Sequence, residues 1–203
     1  MVGRPRKIET DVILDLVIKV FWQKGYEATS MADIMQATGL HKGSIYQTFG
    51  DKRSLFIAAL KSYMDDVYNM NRDTINSYDD PTEGIKQSLY AKLSMTYNDD
   101  ENCKISCTAG CMEVNTLVET APHDEEIQGI MQIKHEKIKQ LITGTLRKIE
   151  KKNNRKLTQS IDMTFAMLMT LMNGLSTNMK TFMGLEEAKL IIDHQLMLMK
   201  ITD

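Results

Sequence analysis

The sequence predicts an all-α protein in two parts: a three-helix helix-turn-helix unit over residues 1–50 and a larger helical domain over 51–203. Three observations predict it. Strand-like alternation is nearly absent, and apolar residues recur every three to four positions from end to end. Glycines and short polar residues punctuate these runs where helices need caps and stops. The runs are short up to about residue 50 and long beyond it, giving about nine helices in all.

The first helix is expected over Thr10 to Lys24, with Ile13, Leu16, Val17, Val20 and Phe21 as its stripe and Gly25 as its left-handed stop. Ser30 opens a second, and Asp33 three residues on completes a capping box. Gly39 ends it, a third short helix fits His41 to Phe49, and Gly50 closes that one. Asp51 caps a fourth that continues through Leu55, Leu60, Tyr63 and Val67. Asp80 and Pro81 open the next. After the polar loop Asn98–Asn102 and a cysteine-bearing segment, Pro122 and Asp124 open a long helix. The run Lys151 to Lys156 reads as a solvated turn, and two last helices, about 158–182 and 186–200, are separated by Gly184.

Composition narrows the function classes. Hydrophobic content of 42% and charged content of 26% suit a globular protein. The net charge of −2 argues against coating nucleic acid by bulk charge, but residues 1–60 hold eight Lys/Arg against six Asp/Glu. The basic residues Arg4, Arg6 and Lys7 are followed by an acidic, amphipathic segment where a signal peptide needs an apolar one. The longest nearly apolar run, Phe165 to Met172, falls far short of the ~18–20 residues of a membrane span. Three cysteines do not form a disulfide framework. A reduced, cytoplasmic protein without membrane contact is expected. His41, His123, His135 and His194 are scattered, with no His-Glu-x-x-His, Gly-x-Ser-x-Gly or Gly-rich phosphate loop, so no enzyme and no cofactor are expected.

Two short helices joined at a glycine suggest a helix-turn-helix. Counting Met31 as the first of twenty positions, Ile34 falls at four, Gly39 at nine, Leu40 at ten and Ile45 at fifteen, where such a unit needs apolar packing or a left-handed turn. Ile45 and Phe49 share one face. Lys42, Gly43, Ser44, Tyr46, Gln47 and Thr48 are left for the other, without a single acid. Lys42 can neutralise phosphate, and Ser44 and Gln47 can bond base edges or phosphates. From spacing alone, a capped helix pair packed inside a bundle stays open as the alternative.

The stretch Gly25 to Leu60, "GYEATSMADIMQATGLHKGSIYQTFGDKRSLFIAAL", resembles the DNA-binding domain of TetR-type bacterial transcriptional regulators. The resemblance implies a homodimer that binds a double-stranded DNA operator through its first three helices, with a divergent C-terminal domain that dimerises and holds a small-molecule inducer. It places Lys42, Gly43, Ser44, Tyr46 and Gln47 on the recognition helix, Thr29 and Ser30 at a phosphate, and Lys52 at a further phosphate. His41 reads either as a contributor to operator choice or as a turn residue. Arg4, Arg6 and Lys7 read as a minor-groove arm or as a solvated tail. Repression is the expected mode; a DNA-binding architectural protein without a ligand is the alternative.

The segment Ala109 to Ile127, "AGCMEVNTLVETAPHDEEI", resembles one branch of that family, in which a Gly-Cys pair opens a helix and a Pro-His-Asp turn precedes the next; its members include regulators responding to reactive electrophiles, oxidants or small organic acids, some through cysteine. Cys103, Cys107 and Cys111 are spaced four apart. With a loop up to Gly110, Cys111 lies near a helix N-terminus, where the macrodipole favours a thiolate. The other reading is a small buried hydrophobe. The spacing matches no zinc pattern, so no metal is expected. Sixteen methionines suit either an adaptable pocket or core and dimer packing. Gly174 and Ser176 would permit close approach at a dimer face, and Tyr63, Tyr68, Tyr90 and Tyr97 are candidate pocket linings.

Overall fold

A computed structural model describes residues 10–96 and 110–202. Arg4, Arg6, Lys7, Tyr97, Cys103 and Cys107 lie outside the described residues. Among those described, nine α-helices follow one another: α1 (Thr10–Lys24), α2 (Met31–Thr38), α3 (Lys42–Phe49), α4 (Lys52–Asn76), α5 (Pro81–Thr96), α6 (Met112–Glu119), α7 (Glu125–Asn153), α8 (Ile161–Asn178) and α9 (Leu185–Leu198), with one 3-10 turn at Ala121–His123. The fold is all-α, as the periodicity predicts. Among the described residues no helix is long and apolar enough to cross a membrane.

Two apolar cores form, and α4 belongs to both. The first gathers Val17 and Phe21 of α1, Ile34 of α2, Ile45 of α3, and Leu55 to Val67 of α4; Met112 and Ile127 join from α6 and α7. The second gathers Ile75 at the far end of α4 with α5, α7, α8 and α9. At 25 residues α4 is about 37 Å long, enough to reach from one core to the other. The helix pair α4–α5 is held close at Gly84: a Cβ there would sit 2.7 Å from the Ile75 carbonyl oxygen, so only glycine fits.

Several boundaries differ from expectation. Helix α7 runs through Lys151 and Lys152 to Asn153, and Asn154, at φ +46°, makes the left-handed stop. Lysines extend a helix readily and suit its C-terminal dipole, so the basic run ends the helix where a turn was expected. Pro122 lies in the 3-10 turn, and Asp124 is the cap of α7, accepting from the Glu126 and Ile127 amides at 3.1 Å each. Helix α8 begins only after Ser160, which caps it, and stops at Asn178. Ser176 is buried, so Gly174 alone of the two small residues lies on the exposed side of α8.

Candidate nucleic-acid interface

The α2–α3 unit is built by short-range chemistry. The Ser30 hydroxyl accepts from the Asp33 amide at 3.2 Å, and the Asp33 carboxylate accepts from the Ser30 amide at 2.8 Å. Lys24 closes on the same carboxylate at 2.5 Å. Lys24 and Ser30 hold Asp33 well below the usual carboxylate range. Thr38 donates to the Ile34 carbonyl and accepts from the Leu40 amide, while Gly39, at φ +68°, returns its N–H to Met35. Ile34 and Ile45 are buried in the first core, with Leu40 and Phe49 packed against it.

This anchoring turns the rest of α3 outward. Lys42, Gly43, Ser44, Tyr46 and Gln47 are all exposed and form one acid-free surface. The Lys42 ammonium stands 5.3 Å from the Tyr46 ring centroid, so cation and ring present a joint surface. A Cβ on Gly43 would meet nothing within 4 Å; packing does not require glycine there. His41 holds the cap position of α3 without a capping bond from its side chain. Ser30 is exposed, but Thr29 is 1% exposed and donates its hydroxyl to the Gly25 carbonyl at 2.6 Å. Thr29 therefore shapes the turn, and its hydroxyl faces away from solvent. Lys52 lies 4.5 Å from the Tyr26 ring centroid and 3.4 Å from the Glu27 carbonyl oxygen.

Three ties that sequence reasoning missed join this unit to the second half of the chain. Trp22 donates from Nε1 to the Gly110 carbonyl at 2.6 Å. The Glu119 carboxylate, at the end of α6, accepts from the amides of Tyr26 and Glu27 at 2.9 Å each. Arg53, at the start of α4, makes a bidentate pair with Asp124 at 2.8 and 2.9 Å and reaches Glu126 at 2.9 Å. Arg53 and the Ile127 amide hold the Asp124 carboxyl down to about 2. Cys111 is the cap residue of α6, as its spacing from Gly110 suggested. It is 1% exposed, with its Sγ 3.6 Å from the Tyr63 hydroxyl. Burial, then the neighbouring thiol, pushes the Tyr63 phenol up.

A cavity lies between the two cores. Met64, Met169 and Met172 wall it together with Leu89, Ile142 and Leu168, and Tyr68, Asn71, Lys92, Glu113 and Lys134 are its polar lining. Its volume in this conformation is about 40 Å³, room for roughly three waters. Lys92 is 8% exposed, and its ammonium lies 3.3 Å from the Glu113 carboxylate. Burial opposes its charge, but Glu113 and the Cys111 thiol together outweigh that and raise its pKa above the ordinary lysine value. The Asn71 amide is occupied by the Val67 carbonyl at 2.7 Å and the Ser88 hydroxyl at 2.5 Å, and Lys134 pairs with Asp65. Of the tyrosines named from sequence, Tyr68 lines the cavity, Tyr63 faces Cys111, and Tyr90 bonds Asp193.

Comparison with known proteins agrees with this geometry. Residues 13–59 match the profile of the bacterial regulatory proteins of the tetR family. Over 133 residues the chain is 29% identical to the HTH-type transcriptional repressor ComR of Escherichia coli (strain K12), covering 66% of this chain and 61% of that protein. Over 125 residues it is 30% identical to the HTH-type regulator YezE of Bacillus subtilis (strain 168), covering 62% and 61%. The matched stretch thus spans less than two thirds of either relative. In fold, the chain is similar to a cysteine mutant of the TetR family transcriptional regulator CifR complexed with 26-base-pair operator DNA, with a TM-score of 0.79 at 22% identity over 96% of this chain and 98% of that one. Sequence profile and fold thus coincide: residues 13–59, which match the tetR-family profile, fold into the helices α1 to α3 and the start of α4.

Proposed function

We propose that the protein is a homodimeric transcriptional regulator, acting as a repressor, that grips an operator through α3 and lets go when its C-terminal half is perturbed by a small molecule or a thiol modification. The observation that carries it is the outward face of α3. It joins Lys42, Ser44, Tyr46 and Gln47 around Gly43, a glycine for which the fold itself has no use. Gly43 is the second residue of α3, and its missing side chain leaves the backbone there open to close approach by another molecule. Lys42, Tyr46 and Lys52 suit phosphates, whereas Ser44 and Gln47 suit base edges, with Ser30 at the N-terminus of α2 as a further phosphate donor. Its relatives ComR, YezE and CifR, named as regulators or repressors, support the same reading.

A dimer places two copies of α3 in successive major grooves, ~34–36 Å apart. Exposed apolar side chains on the last two helices support that assembly: Met163 and Met167 on α8, and Leu190, Met197 and Leu198 on α9. Release then needs only a ligand that binds one of two conformations more tightly. Thiol modification is the second trigger. An adduct on the buried Sγ of Cys111 has to displace Tyr63, whose ring packs edge-on at 5.2 Å against Trp22 of α1.

The test is selection of bound fragments from the source genome, followed by anisotropy titration of the best fragment with wild type and with Tyr46→Ala and Lys42→Ala. Each variant should lose specific binding by at least about tenfold, equivalent to ~1.4 kcal/mol, while remaining folded and dimeric. Lys42→Ala should also lower the salt dependence by about one phosphate equivalent. Unchanged affinity in both variants would sink the assignment. For the thiol trigger, an electrophile titrated against DNA-bound Cys111→Ser should no longer release it; release identical to wild type removes Cys111 from the mechanism.

A further inference from the structure

The Lys92–Glu113 pair lines the cavity between the two cores, and its geometry is unusual for a pair made to last. Lys92 occupies the inward stripe of α5 with Ile85, Ser88, Leu89 and Leu93, all buried. Its ammonium meets one carboxylate among the described residues, that of Glu113, at 3.3 Å. Charge-assisted contacts that are fully made run about 2.7–2.9 Å. Two other polar groups of the cavity are engaged more closely: Asn71 is held at 2.7 and 2.5 Å, and Lys134 is closed on Asp65, outside the lining. Lys92 is therefore the cavity's cation with a loosely held counter-ion.

We propose that Glu113 is an internal stand-in for a ligand carboxylate, and that the cavity takes a small organic monoanion with an apolar body whose carboxylate displaces Glu113 from Lys92. This rests on the reading of the protein as a ligand-responsive regulator. The two partners differ in which can yield. Lys92 belongs to a 16-residue helix packed against α4, α7, α8 and α9. Glu113 is the second residue of an eight-residue helix that makes fewer packing contacts, so it swings out at smaller cost. A ligand with an apolar body also has something to displace. The thioether walls of Met64, Met169 and Met172 are flexible enough to part, and a cavity of about 40 Å³ has to open before it holds more than water.

Opening has a direction. Glu113 and Glu119 lie at the two ends of α6, about 9 Å apart along its axis. One end answers to the cavity and the other holds the Tyr26 and Glu27 amides of the N-terminal unit. Displacing Glu113 frees the first end of α6, and the tilt that follows withdraws Glu119 from those two amides. Anion binding is thereby linked to the seat of α2 and α3 through one short helix.

The experiment uses the full chain without DNA. Straight-chain carboxylates from hexanoate to decanoate are titrated calorimetrically into wild type, Glu113→Gln and the double variant Lys92→Met/Glu113→Gln, with octanol and octylammonium as neutral and cationic controls. Hydrogen exchange of the Tyr26 and Glu27 amides is followed with and without saturating carboxylate. Expected are binding to wild type, binding about tenfold tighter to Glu113→Gln, none to the double variant or from either control, and about tenfold faster exchange at both amides on saturation. No carboxylate binding to wild type or Glu113→Gln, equal binding to all three proteins, preference for octylammonium, or unchanged exchange overturns the proposal. Because no readout involves DNA, failure of operator binding and failure of this site are separate results.

Discussion

Two lysines summarise how the halves of this molecule differ. Lys42 is exposed on α3, beside an aromatic ring, with no carboxylate paired to it among the described residues. Lys92 stands in an apolar cavity beside a carboxylate the chain itself supplies. The first needs no desolvation to be kept ready, because a hydrated ammonium is stable as it is and meets a polyanion by exchanging counter-ions. The second could not stay charged alone, since burying an unpaired cation costs several kcal/mol. A surface that recognises an anion can be left open, whereas an interior that does so must carry a substitute anion until the ligand arrives.

The contrast yields three measurements, from the largest expected effect to the smallest. Glu113→Leu leaves the Lys92 ammonium, fixed in its long helix, without its partner and should lower unfolding free energy by about 3 kcal/mol, while Lys92→Met/Glu113→Leu should lie within about 1 kcal/mol of wild type. Urea unfolding checks both, and a neutral single variant would mean that the cavity is wetter than its walls suggest. Gly43→Ala tests the opposite region. With open space at the Cβ, it should stabilise the fold by up to about 1 kcal/mol and at the same time weaken DNA binding. Gain in both would show that α3 meets nothing closely. The smallest effect belongs to the joint between the halves, Arg53 with Asp124. Asp124 titrates near 2 in the folded chain against an ordinary 3.8, so its stabilisation is complete above about pH 4 and is lost as pH falls towards 2. Thermal midpoints at pH 6 and pH 3 should therefore fall further in wild type than in Asp124→Asn, modestly, because the pair is partly solvated.

The N-terminal unit was legible because its signals are local. Ser30 with Asp33, Gly39, Gly50 and Asp51 each act within four residues, so spacing alone locates α2, α3 and the start of α4. Thr29 shows the limit: sequence places it beside Ser30, but only the fold reveals that its hydroxyl turns back to Gly25. The cavity was not legible, because its lining comes from α4, α5, α6, α7 and α8, and no local pattern brings Lys92 to Glu113. One signal did exist. Lys92 falls on the same three-to-four spacing as Ile85, Leu89 and Leu93, a stripe position where a charge asks for a buried partner. The ties through Trp22, Arg53 and Glu119 span about 70 to 90 residues and had no such signal.

Helix α4 sets a rule for anyone wishing to exchange parts between chains of this fold. A cut at residue 50 looks natural on paper, yet it would strip the first core of Leu55, Phe56, Ala59, Leu60 and Tyr63, leaving Phe21, Ile34 and Ile45 facing solvent. A graft would have to carry the helix to Val67 and import matching contacts for Met112 and Ile127. The DNA contact and the signal response proposed above would, in this architecture, be hard to inherit separately.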